Sequence, residues 1–236
     1  MTIHAGLDTF PATAHVARQS VNRSGHAAEP RDAMSEVGGA RMTFARNAEI
    51  YGEGESAEFV YRVVSGAVRT SKLLSDGRRQ IGAFHTAGEL FGLEVGETHR
   101  FAAEAVVDTV VLVMKRSALL GLAARDPETA RQLWAATAQN LDRANDHMLL
   151  LGRKSALEKL AAFLLEMSSR AGEGGCDAGD VVELPMSRYD IADYLGLTIE
   201  TVSRTLTQLE KCAAIELPSS RRIVLRDTGA LKRLNA

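Results

Sequence analysis

Residues 187–211 read SRYDIADYLGLTIETVSRTLTQLEK. This stretch predicts two short helices joined by a tight turn. Ser187 with Asp190 three positions on is a capping-box start, and Ile191, Ala192 and Leu195 give the first helix an apolar stripe. Gly196 stands where a residue of positive φ would end that helix. Thr198 is suited to cap the second helix, in which Val202, Leu206 and Leu209 recur at i, i+4, i+7 and face inward. Glu200, Ser203, Arg204 and Thr207 fall on the opposite, exposed face. An apolar-backed helix carrying Glu, Ser and Arg near its N-terminus suits the DNA major groove. An ordinary helical hairpin would satisfy the same caps and the same polar face. The continuation favours DNA: Ile215–Leu217 and Ile223–Leu225 are strand-like runs around Pro218-Ser-Ser-Arg-Arg222, a hairpin with a basic tip, or wing. Arg221, Arg222 and Arg226 are placed to meet phosphates.

Charge supports that face more than the whole. The net charge of −2 across 236 residues argues neither for nor against nucleic acid. From Arg204 to the C-terminus, however, seven Lys or Arg stand against three acids, and a local basic patch suffices for phosphate binding. The hydrophobic content of 45% is ordinary for a globular chain. The apolar runs are far short of a membrane span and no secretory signal is evident, so the cytoplasm is the expected compartment. Two cysteines, Cys176 and Cys212, are too few for a disulfide framework or a cysteine-only metal cluster.

Working outward, residues 152–236 are expected to form a winged helix-turn-helix DNA-binding domain, with Gly152 allowing a break before a helix at 153–169. Residues 126–151 predict a long helix: Asp126 as N-cap, Pro127 at N1, Glu128 in the first turn. Ala130, Trp134, Thr137, Leu141, Ala144, Met148 and Leu151 alternate at four and three residues, the seam of a two-helix coiled coil. This helix is read as the contact of a homodimer; packing on its own β-domain is the alternative. Residues 41–116 look all-β, within a β-roll domain expected at 41–125. Short runs at 59–64, 67–73, 79–85, 101–107 and 109–114 are separated by Gly- and Asp-rich turns, as in a jelly roll or similar barrel. Residues 1–40 show no sustained period and predict a poorly ordered tail, in which His4, His15 and His26 are scattered rather than spaced as ligands. Cys176 lies in a Gly-rich acidic loop with no cation nearby to lower its pKa; Cys212, beside Lys211, is the better oxidation candidate, with a buried helix-end thiol as the default.

The order β-roll, long helix, winged helix-turn-helix resembles the CRP/FNR family of bacterial transcription regulators over roughly residues 40–230. LFGLE at 90–94 resembles the β-roll motif of its FNR branch, LGRKSALEKLAAFLL at 151–165 the segment after the dimer helix, and LGLTIETVSRTLTQLE at 195–210 the FNR-type proteins, most of all the FixK group. The resemblance implies an α+β chain: a cyclic-nucleotide-binding-like β-roll, a dimerisation helix and a C-terminal winged helix-turn-helix. It implies base reading by Glu200, Ser203 and Arg204 on a TTGAT-N4-ATCAA-like palindrome, and phosphate contacts by Arg188, Thr198 and Thr201. The chemistry agrees: Arg204 can donate to guanine O6 and N7, Glu200 can accept from cytosine N4, and Ser203 can meet thymine. RNA polymerase is an implied partner, and control of microaerobic respiration or nitrogen-fixation genes, mainly as an activator, an implied role.

Two sensor chemistries of the family are not expected. Cyclic-nucleotide binding resembles Gly-Glu followed by Arg-Ser or Arg-Thr; here Leu93 follows Gly92, displacing Glu94 by one, and Phe101 follows Arg100. The iron–sulfur cysteines have no counterpart in residues 1–175. No cofactor is therefore implied, as in FixK-type regulators controlled through their own synthesis. The competing reading is a sensor of the same fold responding to haem, with His85 and His99 as conceivable ligands, to another small effector, or to thiol oxidation. An enzyme is unsupported: the Ser, His and Asp residues show no nucleophile-elbow, Walker or zinc-protease spacing.

Overall fold

The structure is a computed structural model that describes residues 37–173 and 181–235. The expected N-terminal tail, apart from its last four residues, and Cys176 lie outside the described residues, as do His4, His15 and His26.

Eight strands and a short helix come first: β1 (Ala40–Phe44), β2 (Glu49–Tyr51), β3 (Phe59–Ser65), β4 (Ala67–Leu73), β5 (Arg79–Thr86), β6 (Leu90–Phe91), β7 (Ala102–Ala105), β8 (Thr109–Lys115) and α1 (Arg116–Ala123). They form two antiparallel four-stranded sheets, ordered β1-β8-β3-β6 and β2-β7-β4-β5. Alternate side chains of the two sheets meet in a core that includes Phe44, Ile50, Val63, Val68, Phe91 and Val111. Strands β1, β2 and β6 were not legible in the sequence. β2 and β6 are two or three residues long, too short for an alternating pattern to emerge.

Helix α2 (Pro127–Arg153) has 27 residues and is about 40 Å long. Asp126 caps it, its carboxylate accepting from the Thr129 N–H at 2.8 Å, with Pro127 at the first position. The helix does not break at Gly152. It runs to Arg153, and the chain turns at Lys154, whose backbone is extended. The break falls there because Ser155 and Glu158 form a reciprocal cap. The Ser155 N–H donates to the Glu158 carboxylate at 2.6 Å, and the Glu158 N–H donates to Ser155 Oγ at 3.4 Å. Helix α3 (Ala156–Glu173) starts at that cap.

The remaining elements are β9 (Val181–Glu183), α4 (Arg188–Leu195), α5 (Ile199–Lys211), β10 (Ile215–Glu216), β11 (Arg222–Leu225) and α6 (Thr228–Asn235). The wing is a three-stranded sheet ordered β10-β11-β9 rather than a lone hairpin, with Ile223 opposite Val182. Helices α3, α4, α5 and α6 pack around Leu160, Leu164, Ile191, Leu195, Val202, Leu206 and Leu231. That core does not stop at the DNA-binding unit. It continues onto the outer face of β4 and β5 through Ala67, Ile81 and Phe84, and the Phe84 ring lies 5.2 Å from that of Tyr194 and 6.5 Å from that of Phe163. The β-roll and the helix-turn-helix are thus joined by apolar packing, not merely tethered. No helix among the described residues is long and apolar enough to cross a membrane.

Candidate nucleic-acid interface

The paired helices form as their local chemistry dictates. Ser187 Oγ accepts from the Asp190 N–H at 3.2 Å while the Asp190 carboxylate accepts from the Ser187 N–H at 3.0 Å, a complete capping box. Gly196, at φ 61° and ψ 42°, closes α4 in the left-handed region that a side chain would strain. Two residues later Thr198 Oγ1 accepts from the Thr201 N–H at 3.2 Å and starts α5. Val202, Leu206 and Leu209 are buried at the inner face of α5.

The outer face carries the polar set. Glu200, Arg204 and Thr207 are exposed and Ser203 is half-buried beside them. Glu200 is held below the usual carboxylate range by its own backbone N–H, the Thr198 side chain and the charge of Arg204. It is therefore an ionised, acceptor-only group, as a cytosine amine requires. Arg204 makes no ion pair among the described residues and stays available as a donor. Gln208 and Lys211 continue the row one and two turns along, and with Ser203, Arg204 and Thr207 they line a shallow depression. The sequence reading had not placed Gln208 on this face, although its i+4 spacing from Arg204 would have done so.

The phosphate candidates are spread around this face. Arg188 is half-buried at the first turn of α4, next to Tyr189, an aromatic side chain 66% exposed that the sequence reading passed over. Thr198 and Thr201 lie at the start of α5 with their hydroxyls 3.1 Å apart, so one of the two protons is held between them. Arg221 and Arg222 are exposed at the wing tip, where Ser219 Oγ accepts from both of their N–H groups at 3.4 and 3.1 Å. Arg226 departs from this group: its guanidinium pairs with Glu216 across the wing, Nε to Oε2 2.9 Å, so its charge is locally matched. Cys212 follows α5 and is exposed, not buried as a helix-end thiol by default is. It is the C-cap residue, directly before the turn that Ala213 makes at φ 55°.

The seam residues of α2 divide. Trp134, Leu141 and Met148, seven residues apart, are 75%, 61% and 64% exposed; Thr137 and Ala144 are also exposed. The first three form a row of large apolar side chains left in water on one helix face. Ala130 and Leu151, at the two ends of the seam, are half-buried, and Leu151 faces elsewhere. It packs into the chain's own core, where its Cδ2 would lie 3.3 Å from a Cβ on Gly196.

In the β-roll, the positions where a cyclic nucleotide would be held do not fit one. Glu94 accepts from His99 Nδ1 at 3.2 Å, and His99 is buried with its ring stacked 3.6 Å from that of Tyr51. Gly92 lies against Tyr61, Arg100 is exposed, and Phe101, which follows it with its ring against Gly82, offers no hydroxyl. His85 is buried with Nε2 3.4 Å from Thr70 Oγ1, and burial pushes its imidazole down to about 4. No group of three or more His, Cys, Asp or Glu among the described residues could hold a metal.

Comparison with known proteins gives this architecture its class. A cyclic nucleotide-binding domain model matches residues 41–126, and a Crp-like helix-turn-helix domain model matches residues 158–234. The chain belongs to the CRP/FNR family of transcription regulators. Within that family it is FixK-like. It is 54% identical over 198 residues to the nitrogen fixation regulation protein FixK of Azorhizobium caulinodans, covering 84% of this chain and 80% of that one. To FixK of Rhizobium meliloti it is 43% identical over 192 residues, covering 81% and 85%. The structure of FixK2 from Bradyrhizobium japonicum matches with a TM-score of 0.78 at 54% identity, over 84% of this chain and 98% of that one. The chain is accordingly a DNA-binding transcription activator of FixK and FNR type and not an enzyme.

Proposed function

We propose that two copies of the chain pair along α2 and read a TTGAT-N4-ATCAA-like palindrome, recruiting RNA polymerase at promoters of microaerobic respiration and nitrogen-fixation genes. The observation that carries this reading is the outer face of α5, where an ionised Glu200, Ser203 and an ion-pair-free Arg204 stand together on a rigid, capped helix. Arg204 reads the guanine and Glu200 its paired cytosine; Arg188, Thr198, Thr201, Arg221 and Arg222 fix register on the backbone. The exposed row Trp134, Thr137, Leu141, Ala144 and Met148 pairs with its copy, setting two recognition helices about one DNA turn apart, ~34 Å. The chain divides into a β-roll at 41–125, a dimerisation helix that runs on from 126 to Arg153, and a DNA-binding domain beyond it, and works in the cytoplasm. The relatives named for nitrogen fixation regulation support the target class. Glu94 is engaged by His99 and Phe101 offers no hydroxyl to a phosphate, which supports a reading in which DNA binding needs no cyclic nucleotide.

The test is binding of aerobically purified protein, without added ligand and at fixed salt, to a TTGAT-N4-ATCAA duplex and to a TGTGA-type duplex. Tight, selective binding to the first is expected; binding that appears only with an effector or a reductant would overturn the ligand-free reading. A second reading, a same-fold sensor, is favoured by one observation. A cavity of about 180 Å³ between β5, α2 and Tyr194 is bordered by Tyr51 and His85, whose OH and Nδ1 are buried without a partner among the described residues. A Soret band in protein produced with haem available, or a melting shift on adding a small effector, would establish it.

A further inference from the structure

Helix α4, which supports the recognition helix, is gripped at both ends by residues from outside the DNA-binding unit. At its N-terminus stands Asp190, only 4% exposed, which already closes the capping box with Ser187. Its Oδ1 accepts from Arg69 Nη1 at 3.1 Å and from Arg79 Nη2 at 2.8 Å. Both arginines belong to the β-roll. Arg69, on β4, also donates to Glu104 Oε2 at 2.9 Å, and Arg79, at the start of β5, donates through Nε to Asp193 Oδ2 at 2.8 Å. Burial alone would raise the pKa of Asp190, but the Ser187 hydrogen bonds and the two guanidinium charges outweigh it and keep the carboxyl below its usual range. At the other end of α4 the free carbonyls meet donors from β5 again, from α2 and, within the DNA-binding unit itself, from α3. Gln80 Nε2 of β5 lies 3.3 Å from the Tyr194 carbonyl, His147 Nε2 of α2 lies 2.8 Å from the same oxygen, and Lys159 Nζ of α3 lies 3.0 Å from the Leu195 carbonyl. Because a carbonyl only accepts, the His147 proton sits on Nε2.

We infer that Arg69 and Arg79 are positioning residues for DNA reading: through Asp190 and Asp193 the β-roll sets the angle at which the helix-turn-helix is presented relative to α2. The geometry explains why. A planar guanidinium bonded to two carboxylates fixes direction as well as distance, which an apolar contact does not. α5 packs on α4, so a rotation of α4 is a rotation of the base-reading face. In a dimer joined at α2, such a rotation changes the spacing and phase of the two recognition helices without altering either one. The β-roll therefore contributes to half-site spacing through its grip on α4. This inference rests on the proposed palindrome reading.

The experiment compares the full-length wild type with Arg79→Met, Arg79→Lys and Asp193→Asn, all at the half-buried edge of the network, where loss of fold is less expected than at Arg69. Affinities are measured for palindromes with three-, four- and five-base spacers and for a duplex with one half-site. Arg79→Met is expected to weaken the four-base palindrome about tenfold or more and to flatten the spacing preference. Single half-site binding should stay within about twofold, and Arg79→Lys should recover part of the preference. Equal losses on palindrome and half-site, tracking the melting temperature, would overturn the inference and leave the arginines as general stabilisers. A wild type with no palindrome selectivity would instead sink the parent reading. A DNA-independent measurement decides the inference in that event: spin labels on native Cys212 and on Val95→Cys, in a Cys176→Ser background. The distance distribution across the β-roll and α5 should broaden or shift in Arg79→Met, and an unchanged distribution would refute the positioning role.

Discussion

The junction between the β-roll and α4, and the outer face of α5 with the wing, use the same side chains to opposite ends. At the junction two arginines and three carboxylates, Glu104, Asp190 and Asp193, are bonded to one another, with Arg69 and Asp190 almost wholly buried. On the outer face Arg204, Arg221 and Arg222 are exposed and make no ion pair among the described residues. A guanidinium whose donors are satisfied internally fixes geometry; one whose donors are free is available for a phosphate or a base edge. What separates the two regions is where the carboxylates lie, not how many arginines each contains.

The comparison breaks first at Asp190. Asp190→Ala removes the carboxylate half of the α4 capping box, though not the Ser187 cap itself, and leaves Arg69 buried with one partner fewer, so a loss of about 3–5 kcal/mol of stability is expected. Denaturant unfolding measures it, and a loss under 1 kcal/mol would mean that the network is solvated and the contrast false. Next comes acid. His85 has an imidazole pushed by burial from 6.5 to about 4, so the unfolded chain takes up its proton first as the pH falls. Stability present above pH 6.5 is therefore lost progressively between about 6.5 and 4, by roughly 3 kcal/mol. His147, also shifted down by burial, adds to the same slope. Melting curves should show this fall in the wild type and a shallower one in His85→Leu; identical slopes would show that His85 is not buried neutral.

On the exposed side the effects are read on DNA. Arg204→Ala should cost on the order of 1–3 kcal/mol per half-site on the TTGAT palindrome, with far less change on random DNA. Equal losses in a competition assay would place Arg204 among the phosphate contacts. Arg221→Ala should have the smallest effect, a uniform weakening on all sequences. The slope of log affinity against log salt should become shallower by about one for each lost contact. A sequence-dependent loss there would move the wing into base readout.

Legibility followed the same division. The caps of α4 and α5, the Gly196 turn and the exposed triad Glu200, Ser203 and Arg204 all rest on contacts within four residues, and local contacts leave local patterns. Asp190 shows the limit. Its capping role is written three residues from Ser187, but Arg69 and Arg79 lie 121 and 111 positions away, and nothing in a linear pattern pairs them. Between these extremes, the start of α3 was locally encoded by Ser155 and Glu158, yet Gly152 drew the expected break three residues early; an exposed glycine in a long helix is tolerated at a cost of only ~1 kcal/mol. Leu151 kept the heptad spacing but joined the other core, because spacing specifies a face and not which neighbour will cover it.

The seam also carries an optical consequence. Trp134 is the chain's single tryptophan, and it stands 75% exposed on the α2 face. Any molecule that covers this face will move the indole from water into an apolar setting, shifting its emission to shorter wavelength and shielding it from soluble quenchers. The protein thus carries an intrinsic fluorophore at the surface where self-association is expected. Dilution of unlabelled wild type in a fluorimeter then yields the association constant directly, with Leu141→Arg as the dark reference that should stay red-shifted at every concentration.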